Sequence, residues 1–560
     1  GSNSESKNLG LQYEEDLFDA FMQRQRGEPI TKYKDHVEHI VTKIETEYKS
    51  AIIDIEHAGT KDTGRPLKRD GQGPYISNGG SFNLNIGAKI SDITLTPPGF
   101  INFKISKSFY QSKVESILKK GESYGKGTQG VGKTANVEFV SANPTGPLTV
   151  GHGRNAVLGD TVSSILEWQG FDVTREYYFN DAGRQMRILG QSVEARYKEI
   201  LGQEFEFPED GYQGSYIKDI AQSILDKLGD KLPSDDSNFK QKAEESIFED
   251  IKKSLLRLGI HFDQFTNEKS FYKNGEIDKF LGELREKNLI YEKEGATWFK
   301  TTALGKEKDR VYIKSTGEPT YRVPDTAYHR DKINRGFDLI IDVFGADHAD
   351  TYPDVLLALK SLGLNTDHIR VLLYQFVTLL RGGEKVKMST RKANFVTMDE
   401  LVDQVGIDVV RYFFIMRSMN THLDFDLELA ADQSDKNPIF YLQYAHARIC
   451  NIIKHGQESG LKLEIEFDSS LLVHPEELNL LRYMVRFPEF MDLAYESFEP
   501  QIIANTLQEL ASRFHKFYGQ CHVITDDKSL SNSRLALITS VKIIMNNGLN
   551  ILGLSAPEKM

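Results

Sequence analysis

The chain has 560 residues, and its 69 lysines and arginines against 81 aspartates and glutamates give a formal net charge of −12. This length predicts roughly three to four domains rather than one core. Because no apolar run reaches the roughly 18 residues of a membrane span, and the amino-terminal segment is too polar for a secretory signal, we expect a cytoplasmic enzyme without a membrane segment.

Net charge and cysteine content bear on two kinds of ligand, nucleic acid and zinc. Phosphate contacts need lysine and arginine on one surface, so an acidic total does not exclude nucleic acid. The two cysteines, Cys450 and Cys521, are too few for a thiolate zinc site. No structural zinc is therefore expected.

The first predicted unit runs from residue 1 to about 115 and contains a strand near its end. Pro97–Ser106 (PPGFINFKIS) is typical of a turn followed by a strand. Within it, Phe100 could stack on an exposed base and Asn102 could hydrogen-bond the base edge, as in readers of single-stranded RNA. Packing in a small core is the alternative for Phe100.

Gly127–Thr134 (GTQGVGKT) matches the phosphate-binding pattern G-x-x-x-x-G-K-[ST]. That loop requires a preceding strand and a following helix. Here a lysine-rich helix and a polar loop precede the motif, and a strand follows it. We therefore predict a glycine-rich linker rather than a phosphate loop.

The stretch Asn136–Asp160 (NVEFVSANPTGPLTVGHGRNAVLGD) predicts a strand, a turn and a helix. Val137 and Phe139 alternate as in a strand, and apolar residues recur at helical spacing after His152. Backbone N–H groups at such a helix start can bind a phosphate. Alone, this pattern also fits a structural joint with an incidental histidine. The next predicted strand, Gly170–Tyr178, supports a parallel, doubly wound sheet.

The run Glu318–Val355 combines a helix start with a buried strand. Tyr321 and Asp325 are four residues apart and would share a helix face, and Pro324 suits the first turn of such a helix. Leu339–Phe344 is almost continuously apolar, as in a strand buried on both faces. Polar groups directly after such a strand lie where α/β sheets bind ligands.

Two later stretches carry basic and aromatic groups. Arg381–Leu401 places lysines around Ser389 and Thr390 beside paired glycines, which fits a mobile loop that closes on a triphosphate, or a solvated basic hairpin. From about residue 437 the pattern is helical, with tyrosines and Arg448 at three- and four-residue steps. These side chains suit unstacked bases, although a bundle core explains any single tyrosine equally well.

The stretch Asn136–Asp160 resembles the nucleotide-binding signature of class I aminoacyl-tRNA synthetases, usually His-x-Gly-His, with Thr149 in place of the first histidine. The longer string EFVSANPTGPLTVGHGRNAVLGD is similar to bacterial-type arginyl-tRNA synthetases. PGFINF, KMST and the carboxyl-terminal LALITSVKIIMNNGLNILGLSAPEKM resemble further segments of that family, in the family's order. In KMST, Thr390 replaces the last lysine of the family's Lys-Met-Ser-Lys loop.

The resemblance implies an α/β fold with a class I synthetase Rossmann-like catalytic domain, an amino-terminal α+β domain and a carboxyl-terminal all-α helical bundle. Residues 1–115 would recognise the tRNA D-loop, and residues 116–380 would form the catalytic domain with a helical insertion at about 192–290. Residues 381–436 would form the lysine loop and stem-contact region, and residues 437–560 the anticodon-binding bundle.

The resemblance also implies site residues. Catalysis is expected from His152 and Lys387. ATP binding is expected from Thr149, Gly151, His152, Gly153, Lys385, Lys387, Met388, Ser389 and Lys392. Arginine binding is expected from Glu138, Ser141, Asn143, Tyr321, Asp325, Asp347 and His348. Contacts with tRNA are expected from Phe100, Asn102, Tyr441, Tyr444, Arg448, Tyr518 and Met560. The chemistry agrees, since a carboxylate accepts a guanidinium fork through two hydrogen bonds.

The implied activity is arginine–tRNA ligation by a monomer, with ATP, Mg²⁺ accompanying the nucleotide, L-arginine and tRNA(Arg) as ligands, and with activation awaiting bound tRNA. Two alternatives stay open. One is a class I synthetase of another specificity, which the Tyr321–Asp325 pair argues against. The other is a catalytically impaired tRNA-binding paralogue, since Thr149 and Thr390 replace family residues and one lost transition-state donor can cost roughly 100- to 1,000-fold.

Overall fold

The computed structural model describes strands 53–56, 83–86 and 90–96, and residues 100–560 apart from 182, 230–235, 387–395 and 462–466. Side chains are described for Ser91 and from residue 104 onward, except in those gaps and at 228, 236 and 237. The chain divides into two compact units, Gly1–Val114 with Asp468–Leu481, and Glu115–Phe467 with Arg482–Met560.

The first unit contains two antiparallel strand pairs. β1 (Ile53–Glu56) pairs with β2 (Asn83–Ile86), and β3 (Ile90–Thr96) pairs with β4 (Phe100–Ile105). The strand predicted after the proline turn is therefore confirmed as β4. Helix α1 (Lys107–Lys120) follows it. The side chains of Phe100 and Asn102 lie outside the described residues.

The second unit alternates strands and helices through its first half. In chain order these elements are β5 (Thr134–Glu138), α2 (Val150–Trp168), β6 (Asp172–Phe179), α3 (Gly183–Ile200), α4 (Ser215–Leu228), α5 (Asp236–Arg257), β7 (Gln264–Asn267), α6 (Lys269–Lys273), α7 (Glu276–Glu286), β8 (Ile290–Lys293), β9 (Ala296–Phe299), β10 (Arg310–Ile313), α8 (Arg322–Asn334), β11 (Leu339–Gly345), α9 (Tyr352–Ser361) and β12 (Ile369–Tyr374).

The second half is mostly helical. Its elements are β13 (Val377–Arg381), β14 (Glu384–Lys385), α10 (Met398–Val405), α11 (Ile407–Ile415), β15 (Leu423–Asp426), α12 (Leu427–Ala431), α13 (Pro438–Glu458), then, after α14 (Pro475–Met484), which belongs mostly to the first unit, α15 (Phe487–Ser497), α16 (Gln501–Gln520) and α17 (Lys528–Ile551). The predicted helical character of the carboxyl-terminal region is confirmed. None of the helices in the described ranges is long and apolar enough to cross a membrane.

A five-stranded parallel sheet, in the order β12-β11-β5-β6-β7, forms the centre of the second unit. The predicted doubly wound α/β fold is confirmed. β5 and β11 are inner strands and largely buried, which explains the almost continuously apolar sequence of β11, whereas β5 also buries the polar side chains Asn136 and Glu138. β7 lies within the stretch predicted as a helical insertion, yet it forms an edge of this sheet. β8, β9 and β10 form a separate antiparallel sheet.

Helix α2 crosses the sheet with almost its whole length buried. A Cβ atom added at Gly159 would lie 2.2 Å from Cγ of Phe139, directly after β5. Glycine is therefore needed where the helix and the end of β5 approach most closely. This contact fixes α2 over the strand that leads into it.

The segment Gly127–Lys133 packs on the turn between α2 and β6. The N–H groups of Gly127 and Gly130 donate to the carbonyl groups of Trp168 and Gln169 at 3.1 and 2.9 Å. A Cβ at Gly130 would clash with the Phe171 ring at 2.0 Å. Strand β5 follows at Thr134, so the prediction that this segment is a linker and not a phosphate loop agrees with the structure.

A buried arginine joins three parts of the second unit. Arg411 in α11 is 1% exposed, and its guanidinium donates to Asp160 Oδ2 in α2 at 2.7 Å. It also donates to the carbonyl oxygens of Leu258 and Leu552 at 2.9 and 3.1 Å. The end of the carboxyl-terminal bundle is thereby bonded to the helix that follows β5.

Two helical glycines give opposite predictions for stability. Gly159→Ala gains up to about 1 kcal/mol of helix propensity, but the clash with Phe139 should cost about 1–3 kcal/mol. We expect its midpoint of thermal unfolding to fall. Gly282→Ala in α7 meets no atom within 4 Å and serves as the matched control, whose midpoint should rise. Equal midpoints for both variants would contradict the packing argument.

Candidate active site

The predicted polar residues collect at the carboxyl edge of the parallel sheet, where α/β proteins bind ligands. Glu138 ends β5, and Ser141 and Asn143 follow it. Asp347 and His348 follow β11 in a short 3₁₀ turn and are exposed. The structure thus brings together the ends of two neighbouring strands that are about 200 residues apart in the chain.

A buried ion network lies beneath this edge. Lys332 in α8 is 0% exposed, and its Nζ lies 2.5 Å from Glu138 Oε2 and 2.5 Å from Asp342 Oδ1. His329, one turn earlier, lies 3.0 Å from Asp342 Oδ2 through Nε2. Lys332 Nζ also lies 4.2 Å from the centre of the Tyr328 ring. One ammonium group therefore forms ion pairs with carboxylates from two adjacent strands.

The protonation of the network follows from its geometry. Burial alone would raise the pKa of Asp342, but Lys332 and His329 hold it well below its ordinary value. Burial raises the pKa of Glu138, with Lys332 opposing the shift. Glu138, His329 and Asp342 have ligand atoms close enough together to hold a metal ion, but the Lys332 ammonium already contacts two of the three.

A strained turn follows β5. Val140 and Ser141 have φ angles of 65° and 43°. Positive φ is unusual for any residue other than glycine and is an outlier for a β-branched one. Such residues typically cost about 1–3 kcal/mol each and persist only where surrounding contacts hold them.

Several hydrogen bonds hold this turn. Ser141 Oγ donates to Glu138 Oε1 at 2.8 Å and accepts from Tyr178 N at 3.1 Å. Val140 N donates to Asn155 Oδ1 at 2.6 Å. Beyond the turn, Asn143 Oδ1 accepts from Asn180 N at 3.0 Å. The turn therefore orients both predicted polar residues, Ser141 and Asn143.

Two acidic side chains, Glu268 and Asp325, lie near the turn. Glu268, which follows β7, is 8% exposed and accepts hydrogen bonds from Tyr178 Oη and Asn180 Nδ2 at 3.0 and 2.7 Å. Asp325, in the first turn of α8, forms no hydrogen bond or ion pair with a side chain in the described ranges. Burial raises the pKa of each carboxyl to about 7. The negative charge of each carboxylate in turn raises the pKa of the neighbouring Tyr178 hydroxyl. Neither carboxyl forms an ion pair in the described ranges, and the charges of His329 and Lys332 only partly offset the burial of Asp325.

Helix α8 begins at Arg322 and places Tyr321 at its N-cap, so the predicted helix start near Pro324 is confirmed. Asp325 N donates to the Tyr321 carbonyl at 3.1 Å. Tyr321 is 73% exposed, so its side chain is not part of the core. The structure thus places Tyr321 and Asp325 in the same helical turn.

The amino terminus of α2 orients His152. Thr149 N donates to His152 Nδ1 at 3.2 Å, which leaves Nε2 as the protonated nitrogen of the neutral ring. Burial lowers the pKa of His152, so the ring is neutral near pH 7. Its Nε2 forms no hydrogen bond with a described residue. His152 thus offers one N–H donor at a helix start.

Thr397 and Met398, which follow the predicted lysine loop, contact the start of α2. Met398 N donates to the Leu148 carbonyl at 2.8 Å, and Thr397 pairs with Thr149 in an antiparallel bridge. A Cβ at Gly153 would lie 2.0 Å from Met398 Sδ, whereas one at Gly151 would meet only Thr149 Oγ1 at 3.8 Å. Gly153 therefore admits Met398, and Gly151 faces open space.

The basic loop itself is described only at its ends. Lys385 is exposed in β14, and the turn before it uses Gly382 and Gly383 with φ angles of 59° and 78°. Both central residues at positive φ are typical of a tight β-hairpin. The residues Lys387, Met388, Ser389, Thr390 and Lys392 lie outside the described residues.

The carboxyl-terminal helices form a second cavity, of about 530 Å³, that brings together four predicted residues: Tyr444, Arg448, Tyr518 and Met560. The Arg448 guanidinium lies 4.6 Å from the Tyr444 ring centre and 5.3 Å from that of Tyr518. Tyr441 does not line the cavity and packs on His515 instead, at 5.0 Å between ring centres.

Three residues of the site were missed by sequence reasoning. Lys332 and His329 follow Asp325 at helical spacing, so the shared face of α8 could have indicated them. Glu268 follows a short polar strand, QFTN, which has no periodic apolar signal. Its place near Asp325 depends on the order of strands in the sheet.

Substitution of Lys332 tests whether the stability of the buried ion network depends on this one cation. Lys332→Met leaves the buried Glu138 without an ion pair and Asp342 with His329 alone, which should cost about 3–5 kcal/mol of unfolding free energy. The loss should be larger at pH 7.5 than at pH 5.5, because protonation neutralises the unpaired acids at lower pH. Urea unfolding at both pH values measures this. Lys119→Met, at an exposed pair with Glu115, is the control and should change little. A pH-independent loss would argue against the charge explanation.

Comparisons with known proteins agree with this architecture. Residues 113–425 match the family model "tRNA synthetases class I (R), catalytic domain", and residues 442–560 match the "DALR anticodon binding domain". An arginine–tRNA ligase of Desulfotalea psychrophila is 51% identical over 478 residues, covering 84% of this chain and 86% of the relative. That of Salinibacter ruber is 48% identical over 491 residues, covering 84% and 87%.

Solved structures give the same result. An arginyl-tRNA synthetase structure from Campylobacter jejuni superposes with a TM-score of 0.75 at 33% identity, covering 81% of this chain and 100% of that one. The arginyl-tRNA synthetase of Thermus thermophilus, at 20% identity and a TM-score of 0.68, shares the fold over 85% of this chain and 90% of its own. The chain belongs to the arginyl-tRNA synthetase family of class I synthetases.

Proposed function

We propose that this chain is an arginine–tRNA ligase whose acidic pocket at the sheet edge binds the arginine guanidinium. The observation that carries this assignment of the pocket is the contrast between two sets of acids. Glu138 and Asp342 both form an ion pair with Lys332, whereas neither Asp325 nor Glu268 forms an ion pair with a described residue and burial raises the pKa of both. A guanidinium supplies the missing charge and forked donors that match a carboxylate.

The surrounding residues take distinct parts in this pocket. Asp325 receives the guanidinium, with Glu268 as a second acid and Tyr321 as an exposed aromatic neighbour in the same turn. Both Glu138 oxygens already bind Lys332 or Ser141, so Glu138 acts by holding Ser141. Asn143, with Asp347 and His348 at the end of β11, completes the polar edge.

ATP lies at the start of α2 in this proposal. His152 Nε2–H donates to a phosphate oxygen, and Thr149 keeps the imidazole in place. Gly151 leaves room at the helix start, and Gly153 acts through its packing with Met398. Lys387 is the second catalytic group, with Lys385, Met388, Ser389 and Lys392 beside it.

Catalysis needs no covalent enzyme intermediate. The arginine carboxylate attacks the α-phosphate of ATP, which releases pyrophosphate and gives arginyl-adenylate. A terminal ribose hydroxyl of tRNA then takes the arginyl group and releases AMP. Positioning and charge stabilisation supply the rate. The described residues offer no open cluster of metal ligands, so Mg²⁺ is expected to arrive with the nucleotide.

The carboxyl-terminal cavity is proposed to receive a tRNA base. Tyr444 and Tyr518 supply ring faces for stacking, and Arg448 lies between them as a cation without an ion pair among the described residues. Met560 closes one side, and Tyr441 supports the neighbouring surface. Phe100 and Asn102 are proposed to contact the D-loop region. We assign the active species as a monomer.

The alternative of a catalytically impaired paralogue has less support. Its basis was Thr149 and Thr390 in place of family residues. In the structure, both the backbone N–H and the side-chain hydroxyl of Thr149 lie within hydrogen-bond distance of His152 Nδ1, at 3.2 and 3.3 Å. The replacement therefore retains a positioning role for residue 149, and the nucleotide site does not lose its histidine donor.

The test of this function is arginine-dependent ATP–pyrophosphate exchange with and without tRNA(Arg), with lysine as the control amino acid. We expect exchange only with arginine and tRNA together. In Asp325→Asn the KM for arginine should rise at least roughly 30-fold, since a buried charge partner is removed. Asp331→Asn, on the same helix and paired with Arg335, is the control and should retain the KM for arginine. Absence of exchange in every condition would refute the proposed activity.

The acidic pocket also predicts a pH dependence. Because the pKa of both Asp325 and Glu268 is about 7, each carboxyl is mostly neutral at pH 6 and mostly charged at pH 8. The KM for arginine should therefore rise roughly tenfold or more from pH 8 to pH 6. The KM for ATP should change less, since His152 stays neutral in this range. Asp325→Asn should flatten the arginine profile, and a flat wild-type profile would contradict the assignment.

A further inference from the structure

We infer that Asn155 is a positioning residue for the amino-acid pocket, which it serves by holding the strained Val140–Ser141 turn in place. This inference rests on the proposed function. Asn155 lies in α2, one turn after His152, and is 5% exposed. Its amide touches no predicted substrate position, so its effect must pass through the residues it binds.

Asn155 connects two neighbouring parallel strands. Its Oδ1 accepts from Val140 N after β5 at 2.6 Å, and its Nδ2 donates to the Val343 carbonyl in β11 at 2.9 Å. A single buried amide therefore links β11 to the turn after β5, at the sheet edge where the proposed arginine site lies.

The backbone at Val140 explains why such a bond is needed. A β-branched residue at a φ of 65° favours relaxation toward negative φ. Relaxation would rotate the following residues, and Ser141 would lose its bonds to Glu138 and Tyr178 N. Asn143, two residues later, would move with them. The Asn155 bond to Val140 N opposes this change directly.

Other contacts of α2 do not have this role. Ser163 on the same helix is fully buried, but its hydroxyl donates to the Gly159 carbonyl within the helix. Ser163→Ala therefore removes a buried polar group from α2 without touching the turn. It is the matched control for a general effect of helix stability.

The experiment measures the KM for arginine and for ATP, with kcat and the thermal midpoint, for wild type, Asn155→Ala, Asn155→Asp and Ser163→Ala. In Asn155→Ala the KM for arginine should rise about tenfold while that for ATP stays within about twofold. Asn155→Asp keeps the acceptor for Val140 N but loses the donor to Val343, so it should show a smaller rise. It also provides a readout if Asn155→Ala does not fold.

A second variant tests the strain itself. Glycine adopts a φ of 65° freely, so Val140→Gly in the Asn155→Ala background should recover part of the arginine KM. No recovery would overturn the strain argument, and parallel rises in both KM values would reduce Asn155 to a structural residue. Wild-type protein that lacks arginine-dependent exchange would instead refute the proposed function, independently of these variants.

Discussion

The Lys332 ammonium between Glu138 and Asp342 is the interaction on which the sheet edge depends. It joins α8 to β5 and β11, the two central strands, at a depth where neither carboxylate could remain ionised alone. Because Glu138 is held there, it can accept from Ser141 and orient the turn beyond it. The same helix carries Asp325 at its first turn. The network therefore positions both the turn after β5 and the helix that carries Asp325, the residue proposed to bind arginine.

The acids at the sheet edge fall into two groups. Lys332 and His329 lower the pKa of Asp342, whereas burial raises the pKa of Asp325 and Glu268. Carboxyls with opposite shifts are candidates for different roles. In the proposed function, burying Asp325 and Glu268 without an ion pair costs the fold stability, and binding of a cationic substrate would offset that cost.

Sequence reasoning located the strands and the signature helix because their signals are local. Alternating apolar residues predicted the strand that became β5, an apolar run predicted β11, and Pro324 predicted the start of α8. It could not find Glu268, whose role depends on β7 lying beside β6. Nor could it separate Gly151 from Gly153, because only the packing of Met398 distinguishes them. Residues that act through long-range contacts carry no periodic pattern in the chain.

The sheet edge around Lys332 and the carboxyl-terminal cavity around Arg448 together explain how a chain of negative net charge can act on both a cationic amino acid and a polyanion. In each, a cation lies over an aromatic ring: Lys332 at 4.2 Å from the Tyr328 centre, and Arg448 at 4.6 Å from that of Tyr444. Lys332 is paired with two buried carboxylates, and Asp325 and Glu268 are proposed to bind a guanidinium. Arg448 forms no ion pair among the described residues and lines a cavity, where it is proposed to contact nucleic acid. The local pairing of each cation, and not the net charge of −12, decides which substrate each surface attracts.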